Sequence, residues 1–382
     1  MKRLPSPARR TVLGLLALGA AGAFWRARRP TGELTMNPLR RLLGDQAAAA
    51  GFARIEGPTA LVFPRDHGPH RAFRHEWWYF TGNLADDAGN PFGFQLTFFR
   101  FALTGAAPQL DSAWATNEAM LGHFAVSDIE AQRFVAVQKL ERPVLGLAGA
   151  TADHIWVGQW HARLSDPARE CWQLQARDGR HSLMLELEPR KPRVLQGDAG
   201  YSRKGDAKVN ASCYYSATRL AARGKLDTGH GELAVQGSAW LDREWGSGSL
   251  DRETMGWDWF GLQLSDGSEL MLYRLRRTNG RVSRWSAGSL VAPDGIATQL
   301  KAGDFVLSPQ RHWESPSSGI RYPLRWSLRI AALDLVLDVE ARLDAQEWDG
   351  IVRYWEGSVA TSGHHAGRPV RGAGYMELTG YA

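Results

Sequence analysis

The 382-residue chain is short of most features that mark common functional classes. It has 2 cysteines, Cys171 and Cys213, and no cysteine spacing that would hold a zinc ion. In an oxidising compartment the two could pair; two buried thiols are the plainer alternative. No Gly-x-Ser-x-Gly elbow surrounds Ser216 or Ser247, which disfavours a serine hydrolase. No glycine-rich phosphate cradle occurs either. Asp66, His67, His70 and His75 stand near one another in sequence, but their spacing fits no standard metal site and Pro69 interrupts it, so no metal or cofactor is expected. His123, alone on its strand, reads as a satisfied core histidine, and His364-His365 reads as loop. Apolar runs of membrane-spanning length are missing, and helical periodicity is scarce beyond about residue 58.

A charge excess is also lacking once its location is considered. The formal charge is +6, yet Lys2, Arg3, Arg9, Arg10, Arg26, Arg28 and Arg29 all fall in residues 1–29, where there is no acid, so the remainder carries −1. A nearly neutral body gives no reason to expect a nucleic-acid partner. The basic end reads instead as an export signal: a positive start, an apolar run over 11–23, and small residues at Ala21-Gly22-Ala23. Arg9-Arg10-Thr11-Val12-Leu13 has the form of a twin-arginine signal. The expected destination is the periplasm, with membrane anchoring through the N-terminus if the leader is kept. Residues 30–58 read as a linker with one short helix begun by Asn37-Pro38.

What the chain does have is 16 tryptophans and many short alternating runs. Trp77-Trp78-Tyr79-Phe80 recurs 180 positions later as Trp257-Asp258-Trp259-Phe260. Each copy leads into an Asp/Gly turn, at Asp86 to Asn90 and at Ser265 to Gly267, and then into a second strand, Phe92 to Phe101 and Ser268 to Arg276. A shift near half the chain length indicates a duplicated β domain. Further strands are expected at Cys171 to Ala176, Ser182 to Glu188, Leu324 to Ile330, Leu333 to Ala341, Val352 to Ala360 and Tyr375 to Thr379. The fold class is therefore all-β, as two antiparallel barrels over 59–230 and 231–382, with the junction near Lys225-Leu226-Asp227-Thr228-Gly229. In a strand the side chains alternate, so His75, Trp77 and Tyr79 share one face and Glu76, Trp78 and Phe80 the other. One face is expected to look into a barrel cavity able to hold a small ligand.

Phe63-Pro64-Arg65-Asp66-His67-Gly68-Pro69-His70, Glu76-Trp77-Trp78-Tyr79-Phe80-Thr81-Gly82, Gly122-His123-Phe124-Ala125, Trp240-Leu241-Asp242-Arg243-Glu244-Trp245, Gly256-Trp257-Asp258-Trp259-Phe260, Tyr354-Trp355-Glu356-Gly357 and Gly374-Tyr375-Met376-Glu377 together resemble the AttH / hydroxyneurosporene synthase family. The resemblance spans about residues 60 to 382 and implies two tandem lipocalin-like (calycin) barrels. That family holds carotenoid 1,2-hydratases, which are lyases, relatives labelled predicted secreted hydrolases, and fungal enzymes that shape polyketide cyclisation. The hydratases carry a His-x-Trp pair where this chain has Arg243-Glu244-Trp245, so those residues do not transfer.

Hydrating an isolated alkene requires a carboxylic acid kept neutral by apolar surroundings and aromatic faces to stabilise the cation. The chain sets acids beside tryptophans at Glu76, Asp242, Glu244, Asp258 and Glu356. The expected catalytic residues are Asp242 and Asp258 as acids, with Glu244 and Glu76 as bases. His75, Trp77, Tyr79, Arg243, Trp245, Trp257 and Trp259 are expected to contact the substrate, a hydrophobic small molecule of lipid or isoprenoid type. Equally open from the residues alone is a buried ion-pair network of Glu76, Asp242, Arg243 and Glu244 that closes a barrel end. Non-catalytic binding of an envelope lipid or pigment, a hydrolase-like activity and a role as an interaction module also remain open.

Overall fold

The structure, a computed structural model, describes residues 49–106, 112–248, 250 and 253–381. The leader at 1–29 and nearly all of the short helix following Asn37-Pro38 lie outside the described residues. No helix among the described residues is long and apolar enough to cross a membrane.

Two antiparallel sheets of 13 and 10 strands make two barrel-like bodies. Across the first, the strand order is Arg133–Glu141, Glu118–Asp128, Pro91–Ala102, His75–Asp86, Glu232–Gly248, Ala211–Thr228, His181–Pro189, Cys171–Asp178, Trp160–Asp166, His154–Val157 and Ala148–Ala150. Across the second it is Ala297–Lys301, Ala287–Val291, Glu269–Arg277, Thr254–Leu264, Arg368–Thr379, Arg353–His365, Leu335–Ala341, Arg321–Ile330 and Val306–Glu314. The two share a plan. In each, the opening hairpin lies beside the last long strand of its own body: His75–Asp86 pairs with Glu232–Gly248, and Thr254–Leu264 pairs with Arg368–Thr379. Both opening turns use the same chemistry. Asp86 Oδ1 accepts from the Ala88 and Asn90 amides, Asp266 Oδ1 accepts from Ser268, and Gly89 and Gly267 supply φ values of +86° and +85° that favour glycine.

The boundary between the bodies differs from the expected position at 231. Glu232–Gly248 is an interior strand of the first sheet, bonded on both sides. The sequence around Asp227-Thr228-Gly229 is a hairpin turn in which Asp227 Oδ1 accepts from the Gly229 and Gly231 amides, so a turn signal there resembles a linker. The chain passes to the second body after Gly248.

A second correction concerns the barrel interiors, which are full. Trp78 and Phe80 pair across the hairpin with Phe98 and Leu96, and all four are wholly buried in the first core with Trp160 and Trp172. Phe260, Leu262, Leu270 and Leu272 do the same in the second, around Trp326 and Trp355. The opposite faces of the same strands, carrying Tyr79 and Trp240 from the first body and Trp259, Tyr273 and Tyr354 from the second, form a third apolar cluster between the bodies. Apolar residues therefore occupy both faces of these strands, one packing inward and one against the other barrel.

Both cysteines are free thiols, Cys213 being buried under Ile55, Tyr215 and Trp245.

Candidate functional site

The cavity lies in this third cluster, between the barrels rather than within one. It encloses about 140 Å³ and is walled by rings from both bodies, among them Trp77, Tyr79, Phe99 and Tyr214 on one side and Trp257, Trp259, Tyr273 and Tyr354 on the other. Among the described residues, four carboxyl groups reach it, Asp242, Glu244, Glu356 and Glu377, with a single ammonium, Lys204.

Strand register explains why these groups meet. Glu244 and Asp242 lie directly opposite Trp77 and Tyr79, so alternation places all four on the outward face. In the second sheet Trp259 lies opposite Glu377, which in turn lies opposite Glu356. Tyr79 and Trp259 correspond in the duplication, so Asp242 and Glu377 occupy equivalent places in the two halves and close the cavity from opposite sheets.

Asp242 is held by three donors. Ser216 Oγ and Trp240 Nε1 donate to its Oδ1 at 2.5 and 2.7 Å, and the Tyr214 hydroxyl donates to Oδ2 at 2.5 Å. Burial nevertheless dominates, outweighs these donors, and pushes the carboxyl up to about 7. Glu377 is pushed up to about 8, first by burial and then by the nearby charges of Asp242 and Glu244. Burial and the adjacent Glu377 raise Glu356 well above the usual carboxylate range. Lys204 Nζ lies 3.5 Å from Glu244 Oε1 and 4.0 Å from the Tyr273 ring centroid. Burial works against its charge, yet Glu244 and Tyr273 raise its proton affinity overall. Glu244 also accepts from Ser212 Oγ.

Of the residues expected from sequence, Asp242, Glu244, Trp77, Tyr79, Trp257 and Trp259 come together here. The other five do not line the cavity. Glu76 and Arg243 sit on the inward-facing side, where both are fully buried; Glu76 is bound by Arg243 and Arg100 and accepts from the His70 amide at 2.9 Å. Burial opposes the Glu76 charge, but Arg243, His70 and Arg100 overcome it and hold the carboxyl well below its ordinary range. The Arg243 guanidinium lies 3.9 Å from the Trp78 ring centroid, and Trp245 stacks on His70 at 3.7 Å. Asp258 faces the second core, paired to Arg274 at 2.7 Å and to Arg276 at 3.2 Å, with the Tyr381 hydroxyl donating to it at 2.6 Å. Arg274 in turn lies 4.7 Å from the Trp326 ring centroid, so each barrel has an arginine, neutralised by an acid, over a core tryptophan. His75 stacks along Trp77, and burial lowers its ring to about 3. The expected network thus holds for Glu76 and Arg243 but does not include Asp242 or Glu244, the latter pairing with Lys204 instead, because consecutive residues of one strand point to opposite faces.

Glu356, Glu377, Lys204, Tyr214 and Tyr354 were missed as site residues. Glu356 carries the acid-beside-tryptophan signal, and Glu377 could have been found by asking which residue of the second half pairs with Trp259. Nothing local marks Lys204. His123 does have partners for both ring nitrogens, the Tyr354 hydroxyl at 2.7 Å and Gln138 Oε1 at 3.2 Å, yet it also borders the cavity.

Comparison with known proteins agrees with this architecture. A crystal structure assigned to AttH from Nitrosomonas europaea is 33% identical, with a TM-score of 0.77 over 87% of this chain and 100% of that one. Kievitone hydratase from Nectria haematococca shares the fold at 15% identity, with a TM-score of 0.66 over 87% of this chain and 96% of its own. The dehydratase asqC of Emericella nidulans is 22% identical over 200 residues, 48% of this chain, and the match spans about half (54%) of that relative's length. The family profile described as AttH-like matches residues 54–381, and the chain belongs to that family.

Proposed function

We propose that this protein is an acid–base enzyme of the hydratase or dehydratase type, acting on a hydrophobic small molecule held between the two barrels. The observation that carries the reading is Asp242, a carboxyl pushed up to about 7 on the wall of a cavity lined by aromatic rings from both barrels. A general acid works best with a proton affinity near the working pH, and apolar burial is how a carboxylic acid reaches it. The names of two relatives, a hydratase and a dehydratase, are in keeping with this chemistry.

In the hydration direction, Asp242 gives its proton to one alkene carbon, leaving a carbocation on the other and a carboxylate on the enzyme. Tyr214, Ser216 and Trp240 already donate to that carboxylate, so its new charge is stabilised without reorganisation. The π faces of Trp77, Trp257 and Trp259 stabilise the cation. Water then bonds to the cationic carbon and loses a proton to Glu244, the carboxylate two residues along the same strand face and paired with Lys204. Residues so spaced stand about 7 Å apart, which leaves room for two substrate carbons and one water. Dehydration is the same path reversed. The twin-arginine-like leader supports action in the periplasm, and an isoprenoid of carotenoid kind is the substrate class the family resemblance favours.

The test is native mass spectrometry of the wild-type protein and Asp242→Asn, both purified from the source cells, with the released ligands weighed. Ligands that differ by one water support turnover at Asp242. An identical, unaltered ligand in both would make this a binding protein and the acid a structural one.

A further inference from the structure

The bonds around Asp242 fix where its proton sits. Trp240 Nε1 can only donate, and it points at Oδ1 from 2.7 Å. Ser216 Oγ stands 2.5 Å from the same oxygen. Gln196 Nε2 donates to Ser216 Oγ at 2.9 Å, so Asp242 Oδ1 is the acceptor left for the Ser216 proton. Gln196 is 1% exposed and is itself held from the second barrel, where the Ser289 hydroxyl donates to its Oε1 at 2.9 Å. An oxygen that takes two donors is the carbonyl oxygen of the neutral acid, and the acid's own proton is then on Oδ2.

The neighbour of Oδ2 is the Tyr214 hydroxyl at 2.5 Å. When the carboxyl is ionised, Tyr214 donates to it. When the carboxyl is neutral, the same contact runs the other way, and Oδ2–H donates to the phenol oxygen. That oxygen also accepts from Trp259 Nε1 of the second barrel at 3.3 Å. With two donors on its oxygen, the Tyr214 hydroxyl directs its own proton away from both, and Tyr214 is part of the cavity wall. The proton facing a ligand is therefore that of Tyr214, while the proton of Asp242 is enclosed behind it.

We propose that Tyr214 is a catalytic residue that hands the proton to the substrate, with Asp242 acting through it. The inference rests on the reading of Asp242 as the acid of the inter-barrel cavity, and it adds the group that meets the substrate. In one concerted step the alkene electron pair takes the Tyr214 proton to form a C–H bond. As that O–H bond breaks, the Oδ2 proton bonds to the Tyr214 oxygen. The charge left on the enzyme is the Asp242 carboxylate, and the substrate holds the cation that water captures. Tyr214 ends by donating to Oδ2 across the same short contact. Its phenol stays neutral throughout, so the weak acidity that burial imposes on it is no obstacle.

The test uses wild type, Asp242→Asn and Tyr214→Phe, each purified from the source cells. Their released ligands are weighed by native mass spectrometry, and the carboxylic-acid C=O band of Asp242 is followed by infrared spectroscopy. Wild type and Asp242→Asn should carry ligands that differ by one water. Tyr214→Phe should carry the Asp242→Asn ligand, although its acid band is still present near pH 5. A Tyr214 that merely supported the acid would leave Asp242 able to protonate the ligand itself, so a Tyr214→Phe protein carrying the wild-type ligand would overturn the relay. Loss of the acid band in Tyr214→Phe would also overturn it, by making Tyr214 a group that only keeps Asp242 neutral. If wild type and Asp242→Asn carried the same ligand, the acid reading itself would fail and take the relay with it. Ser216→Ala tests the position of the proton without turnover and with the phenol intact. Removing one of two bonds to the carbonyl oxygen should move the acid band to higher wavenumber. An unmoved band would put the proton on Oδ1 and overturn the relay.

Discussion

Replacing Asp242 by Asn should make the protein more stable at alkaline pH, which is the reverse of what loss of a well-bonded buried residue normally does. The folded carboxyl titrates near 7, against an ordinary value of 3.8. Because the folded state holds this proton more tightly than the unfolded chain, the associated stability is fully present below about pH 4. It is lost as pH rises through about 7. Three units at 1.36 kcal/mol each put the whole effect at about 4 kcal/mol, of which about 3 kcal/mol falls between pH 5 and pH 8. Asn cannot ionise. Its oxygen can accept from Ser216 and Trp240, while its amide donates to the Tyr214 hydroxyl and so reverses the bond made to the carboxylate; the packing and the other two bonds are kept at every pH. Urea denaturation of wild type and Asp242→Asn at several pH values should show a stability difference that moves by about 3 kcal/mol towards the variant between pH 5 and pH 8. A difference constant across that range would refute the argument, since it would mean that Asp242 ionises in the folded state as it does in the unfolded chain.

Activity assayed against pH should be high below about 7 and fall above it, the direction set by an acid that must carry its proton; a rise instead would assign Asp242 to the base role. Glu76→Gln should cost about 3–5 kcal/mol by leaving Arg100 and Arg243 without their shared carboxylate, read as a large drop in melting temperature with turnover by the surviving folded fraction unaltered. Gly261→Ala should weaken ligand binding with little loss of secondary structure. A Cβ there would stand 2.4 Å from the Trp259 indole and force that ring to move at the cavity wall, and titration with toluene against circular dichroism separates the two effects.

The opening hairpins were legible because they rest on local rules, period-two aromatics bounded by Asp/Gly turns, and the duplication followed from their likeness. The inward face was not legible. Trp77 and Trp78 are both aromatic, as are Tyr214 and Tyr215, so hydrophobicity gives no sign of which side looks into the barrel and which towards its partner. That ambiguity is itself a product of the architecture, since the outer faces of these strands are covered by the second body. Asp258 illustrates the consequence. Its sequence surroundings match those of an embedded catalytic acid, but its strand turns it towards Arg274 and Arg276. Glu377 shows the converse: nothing in its local sequence marks it, because its importance comes from pairing with Trp259, more than a hundred residues away. Asp242 and Glu244 were identified from their tryptophan neighbours, and alternation alone then separates them from Arg243.

The central claim is that Asp242 stands as a neutral acid in the inter-barrel cavity. The most direct test is an infrared pH titration of the wild-type protein minus Asp242→Asn. The account predicts a carboxylic-acid C=O band that is present near pH 5 and lost with a midpoint near 7, with a carboxylate band growing in its place. A difference spectrum already showing only carboxylate near pH 5 would contradict it.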